Sequence, residues 1–117
     1  METNTAMYIA IAILATFVVI QKIRNRKAST MTIKEKLSEG ALVIDVRSPE
    51  EFATGAYPKA KNIPLDSLGS SMGKLPKDKP IVLYCASGAR SGQAARMLKA
   101  AGFDNVVSAG GLADMPR

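Results

Sequence analysis

Apolar residues are distributed in two ways along this chain. One long run lies near the start, and short runs follow, separated by polar residues, glycines and prolines. Residues 6–20 (AMYIAIAILATFVVI) carry no charge, and the charge-free stretch extends from Thr3 to Gln21. A membrane-crossing helix takes about 20 residues, and this run is apolar all round rather than along one stripe. Its basic residues follow the apolar run instead of preceding it, the reverse of a signal peptide. The pattern predicts a single transmembrane anchor over residues 1–21 and a basic juxtamembrane linker over 22–30, carrying Lys22, Arg24, Arg26 and Lys27. A folded domain then occupies residues 31–117. The positive-inside rule places the basic cluster, and the domain behind it, on the cytoplasmic side of a single-pass membrane protein.

Within the domain, short apolar runs alternate with capping signals. Thr32 and Glu35 fit a capping box, opening a helix through Leu37 that stops at Gly40. Residues 41–46 (ALVIDV) are apolar except for Asp45, as in a buried strand. Ser48-Pro49-Glu50-Glu51 is a second capping box, with proline at the first helical position, and this short helix ends near Gly55. Lys61-Asn62-Ile63 predicts a brief edge strand closed by Pro64. Asp66 is placed to cap a helix carrying Leu68, Met72 and Leu75. Residues 81–85 (IVLYC) follow Pro80 and read as a buried strand. A helical pattern from Gln93 to Ala101 presents Ala94, Ala95, Met97 and Leu98 on one face and stops at Gly102. Asn105-Val106-Val107-Ser108 is a last strand, followed by a turn at Gly110-Gly111. Such alternation means an α/β domain whose mainly parallel sheet is covered on both faces, with ligands bound at the carboxyl ends of strands.

Composition narrows the chemistry. The chain has 117 residues, no histidine, no tryptophan and one cysteine. Without histidine there is no Ser-His-Asp or Cys-His catalysis and no histidine metal site; one cysteine forbids an internal disulfide or a C-x-x-C motif. No metal and no cofactor is called for. The net charge of +6 is concentrated just after the apolar run, and few aromatics are present for base stacking, so nucleic acid is not an expected partner.

That one cysteine stands where a thiolate would be stabilised. Cys85 ends the 81–85 strand, and Ala86, Ser87, Gly88, Ala89, Arg90 and Ser91 lead into the next helix. Orphan N–H groups and the dipole of a helix N-terminus favour an anion there, an adjacent guanidinium adds to this, and each lowers a thiol pKa. The small loop side chains leave their amides uncovered, so several can converge as an anion nest. A buried, inert thiol is the competing structural reading.

Three blocks together resemble the rhodanese family of sulfurtransferases over residues 31–112. They are Val43-Ile44-Asp45-Val46-Arg47-Ser48-Pro49-Glu50-Glu51-Phe52, continued by Gly55 and Asn62-Ile63-Pro64; the loop from Cys85 to Ser91; and Gly102-Phe103-Asp104-Asn105-Val106 with Gly110-Gly111. The resemblance implies a rhodanese-like α/β fold, a five-stranded parallel sheet flanked by helices, here following one N-terminal transmembrane helix. It also implies a cysteine that carries a persulfide sulfur from a small donor such as thiosulfate to an acceptor, cyanide or a thiol. The chain departs from the pattern at Gly55-Ala56-Tyr57 and Lys59-Ala60, where Gly-His-Ile and Gly-Ala are usual. It departs again at Ala113-Asp114-Met115, where a tryptophan often follows the glycine pair, so a loosely held C-terminus is expected.

On this reading Cys85 is the nucleophile, the backbone of residues 86–91 holds the persulfide anion, and Arg90 attracts an anionic donor and lowers the thiol pKa. Ser87 and Ser91 are placed to offer hydroxyls, although Ser91 equally suits a helix cap. Asp45 and Arg47 read as structural, with Arg47 expected to pair with Glu51. A non-catalytic, membrane-tethered binding module is the alternative from another class, and a membrane-protein partner is a corollary of the anchor. A cysteine phosphatase fits less well, because only four residues separate Cys85 from Arg90 and Tyr84 stands where histidine would. An arsenate reductase would want a second cysteine.

Overall fold

The structure, a computed structural model, describes residues 2–24 and 28–117. The sheet is parallel and four-stranded, in the order β2-β1-β3-β4, built from β1 (Leu42–Asp45), β2 (Lys61–Asn62), β3 (Ile81–Cys85) and β4 (Val106–Gly111). Five strands were expected from the family resemblance; the residue patterns themselves predict these four. Where a fifth strand would lie beside β4, the described chain makes a single bond, from the Ala28 N–H to the Ser108 carbonyl at 2.8 Å. Ser29 then turns it into helix α2 (Thr30–Ser38), capping the Thr32 N–H. The cap is thus Ser29 and not Thr32.

Period-two alternation divides the core. Ile44, Val46, Leu83 and Cys85 face one side, packed on Leu68 of α4 (Leu65–Ser71) and Ala94, Ala95 and Leu98 of α5 (Ala89–Ala100). Val43, Val82 and Tyr84 face the other side, against Ile33 of α2 and Met115. β3 is buried at every position, which its unbroken apolar run requires. The Ser48 capping box forms as predicted and opens α3 (Pro49–Ala53). Asp66 is not a cap: α4 begins at Leu65 after Pro64, and a 3-10 turn over Met72–Lys74 follows. Gly110 and Gly111 belong to β4 rather than to a turn, beyond a register shift opposite Leu83 and Tyr84. The C-terminus is held, not loose. Met115 is buried, and the Tyr57 hydroxyl donates to the Pro116 carbonyl at 2.7 Å.

The N-terminal run forms helix α1 (Glu2–Arg24), whose side chains are exposed throughout residues 4–20. Among the described residues, no helix is long and apolar enough to cross a membrane. The expectations of a transmembrane anchor and of a single-pass location with the domain on the cytoplasmic side are therefore overturned. The physical reason is that charge-free is not the same as apolar. Thr3, Asn4 and Thr5 extend the uncharged stretch without adding hydrophobic length. Residues 6–20 reach only about 22 Å at 1.5 Å per residue, against roughly 30 Å of hydrocarbon. Of the basic cluster, Arg26 and Lys27 lie outside the described residues, as do the side chains of Lys22 and Arg24.

β1 and β3 are central neighbours whose connections leave in opposite directions, β1 toward β2 and β3 toward β4. Their carboxyl ends form the switch point of the sheet, where α/β proteins place ligands. Asp45 ends one strand and Cys85 the other.

Candidate active site

Cys85 has no exposed surface, and its sulfur sits inside the turn that follows it. The Gly88 N–H donates to Sγ at 2.9 Å and the Ser91 N–H at 3.4 Å, while the thiol lies 3.6 Å from the Ser91 hydroxyl. Burial pushes the thiol pKa up. Hydrogen bonds from the Ser91 hydroxyl and N–H, and from the Gly88 and Ser87 N–H groups, outweigh it and bring the thiol below its ordinary value.

The turn closes because two glycines permit it. Gly88 has φ +111° and caps α5; a Cβ there would stand 3.3 Å from the Gly110 Cα, so both backbone conformation and space call for glycine. Gly111 lies under the Ala86 carbonyl so closely that any Cβ would collide with it. The loop is thereby seated on β4. Helix α5 begins at Ala89, four residues before the predicted start at Gln93, and this brings Ser91 into its first turn. Ser91 is not the cap. Its hydroxyl lies 2.8 Å from that of Ser108 and 3.1 Å from the carbonyls of Gly88 and Gly110, buried between loop and strand.

The six expected loop residues separate into groups. Gly88, Ser91 and the Ser87 N–H converge on the sulfur. Ala86 packs its backbone on Gly111, and Ala86, Ser87 and Ala89 are exposed. Arg90 turns away to Glu51, with Nη1 and Nη2 donating to its two carboxylate oxygens at 2.6 and 3.0 Å. The expected partner of Glu51 was Arg47. Arg47 instead binds Asp45 through Nε and Nη2, the closest contact 2.7 Å, and also donates to the Gly55 carbonyl. That pair is buried and lies near the Tyr84 ring, so the ion-pair partner of Arg47 is Asp45 rather than Glu51. Glu51 and Ser108 are site neighbours that sequence reasoning missed. Glu51 carried a capping signal and an expected pairing with Arg47, neither of which points to Arg90, and no local pattern pairs Ser108 with Ser91.

A parallel α/β domain with one buried thiol held by backbone amides at the sheet's switch point defines a class: α/β proteins with a cysteine-based anion cradle. The sequence matches the rhodanese-like domain over residues 29–114. The chain belongs to the rhodanese-like family. Its relatives include a sulfurtransferase of Allochromatium vinosum, 39% identical over 71 residues, or 61% of this chain and 66% of that one. The putative sulfurtransferase YtwF of Bacillus subtilis is 38% identical over 89 residues, covering 74% and 86% of the two chains. Among solved structures, the human single-domain sulfurtransferase TSTD1 matches with a TM-score of 0.64 at 28% identity, over 70% of this chain and 86% of that one.

Proposed function

We propose that the protein is a sulfurtransferase that carries a sulfane sulfur on Cys85. The observation that carries this reading is the convergence of the Gly88 and Ser91 N–H groups on Sγ, in a chain whose relatives are named sulfurtransferases. The Cys85 thiolate attacks the outer sulfur of a donor such as thiosulfate. A bond forms between the two sulfurs as the donor's S–S bond breaks, and sulfite leaves with the electron pair. The resulting persulfide anion takes over the amides that held the thiolate, which act as an oxyanion hole does. An acceptor nucleophile, cyanide or a thiolate, then attacks the outer sulfur, and the S–S electron pair returns to Cys85. Acid–base catalysis is not needed, because both nucleophiles enter as anions; a chain without histidine suits such a cycle.

Intact mass after brief exposure to thiosulfate tests this. The expected result is a gain of about 32 Da, one sulfur atom, removed by cyanide and absent in Cys85→Ser. If no adduct forms and Cys85 alkylates slowly at neutral pH, the thiol is inert and the reading fails.

A further inference from the structure

Arg90 is the only cation between Cys85 and Ser91, and its charge is already committed. The two bonds to Glu51 cancel the charge and also fix the plane of the guanidinium. Glu51 is itself anchored, its Oε1 accepting from the Ser48 N–H and hydroxyl at 3.1 Å each. Arg90 first, and Ser48 second, hold the Glu51 carboxyl down at about 2, so the pair remains ionised at any working pH. The guanidinium is near enough to the sulfur that the thiolate, after the larger effect of Glu51, helps raise its pKa. A second guanidinium beside the site, Arg47, is bound in the buried pair with Asp45.

We propose that Glu51 is a specificity-determining positioning residue: by neutralising Arg90 it turns the site away from dianionic sulfur donors and toward persulfides borne on uncharged or singly charged thiols. This rests on the sulfur-transfer reading above and deepens it. Thiosulfate brings two negative charges toward a thiolate, and an uncompensated cation beside the sulfur favours its approach. A persulfide on an uncharged carrier brings at most one, as R–S–S⁻, and none as the R–S–SH form that is attacked. The Cys85 thiolate attacks its outer sulfur, the donor's S–S bond breaks, R–S⁻ leaves with the electron pair, and Cys85–S–SH remains.

The experiment compares kcat/KM for thiosulfate and for 2-mercaptoethanol persulfide, whose carrier is uncharged, using the full chain with cyanide as common acceptor. Glu51→Gln keeps the capping box, since glutamine accepts the same bonds, and releases Arg90. The thiosulfate-to-persulfide ratio should rise about tenfold, the scale of one freed charge near a dianion in a partly exposed site. Added salt should shrink that gain, and Glu51→Gln combined with Arg90→Ala should abolish it. A merely structural role for Glu51 would lower both efficiencies and leave their ratio in place. An unchanged or lower ratio in Glu51→Gln, or a gain that survives Arg90→Ala, overturns the proposal. So does wild-type thiosulfate use that collapses in Arg117→Ala, because Arg117 lines the cleft on the Ala86 side and the donor's cation would then lie there. Transfer from neither donor, with no mass gain on Cys85, would instead defeat the sulfur-transfer reading itself.

Discussion

Ser91 has one hydroxyl proton and four neighbours within reach of its oxygen: Cys85 Sγ, the carbonyls of Gly88 and Gly110, and the Ser108 hydroxyl. With a neutral thiol, the serine can accept the thiol proton and give its own to a carbonyl. Once Cys85 ionises, the Ser91 proton is best spent on sulfur, and Ser108 can donate to the oxygen behind it. One side chain thus serves both protonation states without moving. Ser91→Ala removes the leading favourable influence on the thiolate, so its alkylation by iodoacetamide should slow several-fold at neutral pH, with the rate profile displaced to higher pH. Stability should follow the same sign. Cys85 titrates lower in the folded protein than its ordinary value of 9.0, so the thiolate's contribution is full above that value and is lost as pH falls through the folded value. Urea unfolding between neutral pH and about 9 should therefore show wild-type stability rising with pH, and rising less in Ser91→Ala.

The candidate site is carried by the β3–loop–α5 unit together with the strand that supports it. Gly111→Ala tests that support: the added methyl must displace the Ala86 carbonyl, and the loop with it. Overpacking of this kind costs about 1–3 kcal/mol, and here it falls on the cradle. Circular dichroism should show the helices retained, while persulfide formation on Cys85 drops sharply. Much of this unit was legible from sequence, since an apolar run ending in cysteine, followed by small residues and a glycine, fixes a strand, a turn and a helix start. Three features were not legible. The helix begins at Ala89 because Gly88 adopts a left-handed backbone, and the apolar periodicity begins only at Ala94. Gly110 and Gly111 resemble a turn in isolation; only the register against Tyr84 and Cys85 makes them strand. Arg90 looked like an unpaired cation at a helix start because its partner is 39 residues away on α3. Local patterns fix local structure, and they do not choose among distant carboxylates. At α1, counting charges overstated apolar length.

At the scale of the whole molecule, the C-terminal segment closes the face of the sheet opposite α5. Met115 joins Ile33, Val82 and Tyr84, and the Tyr57 hydroxyl reaches the Pro116 carbonyl while the Tyr57 N–H donates to the Tyr84 hydroxyl at 2.9 Å. This ties the departures at Tyr57 and Met115 to each other, since the two lie in one patch. Removal of residues 112–117 should cost about 2 kcal/mol for the methionine alone, seen as a lower urea midpoint, with further loss from the exposed rim of Tyr84. The Asp114 carboxylate accepts from the Gly111 N–H at 2.8 Å, so the same deletion should loosen the strand beneath the cradle and reduce sulfur transfer.

The seating of the loop on β4 also has a consequence for the order in which the molecule acquires its chemistry. During synthesis Cys85 leaves the ribosome before α5, and α5 before Ser108, Gly110 and Gly111. Until those residues arrive, Ser91 lacks its partner hydroxyl and the loop has no floor. A nascent chain therefore carries a cysteine of ordinary acidity, and the thiol pKa falls below that value only when the polypeptide that will shield it has been made.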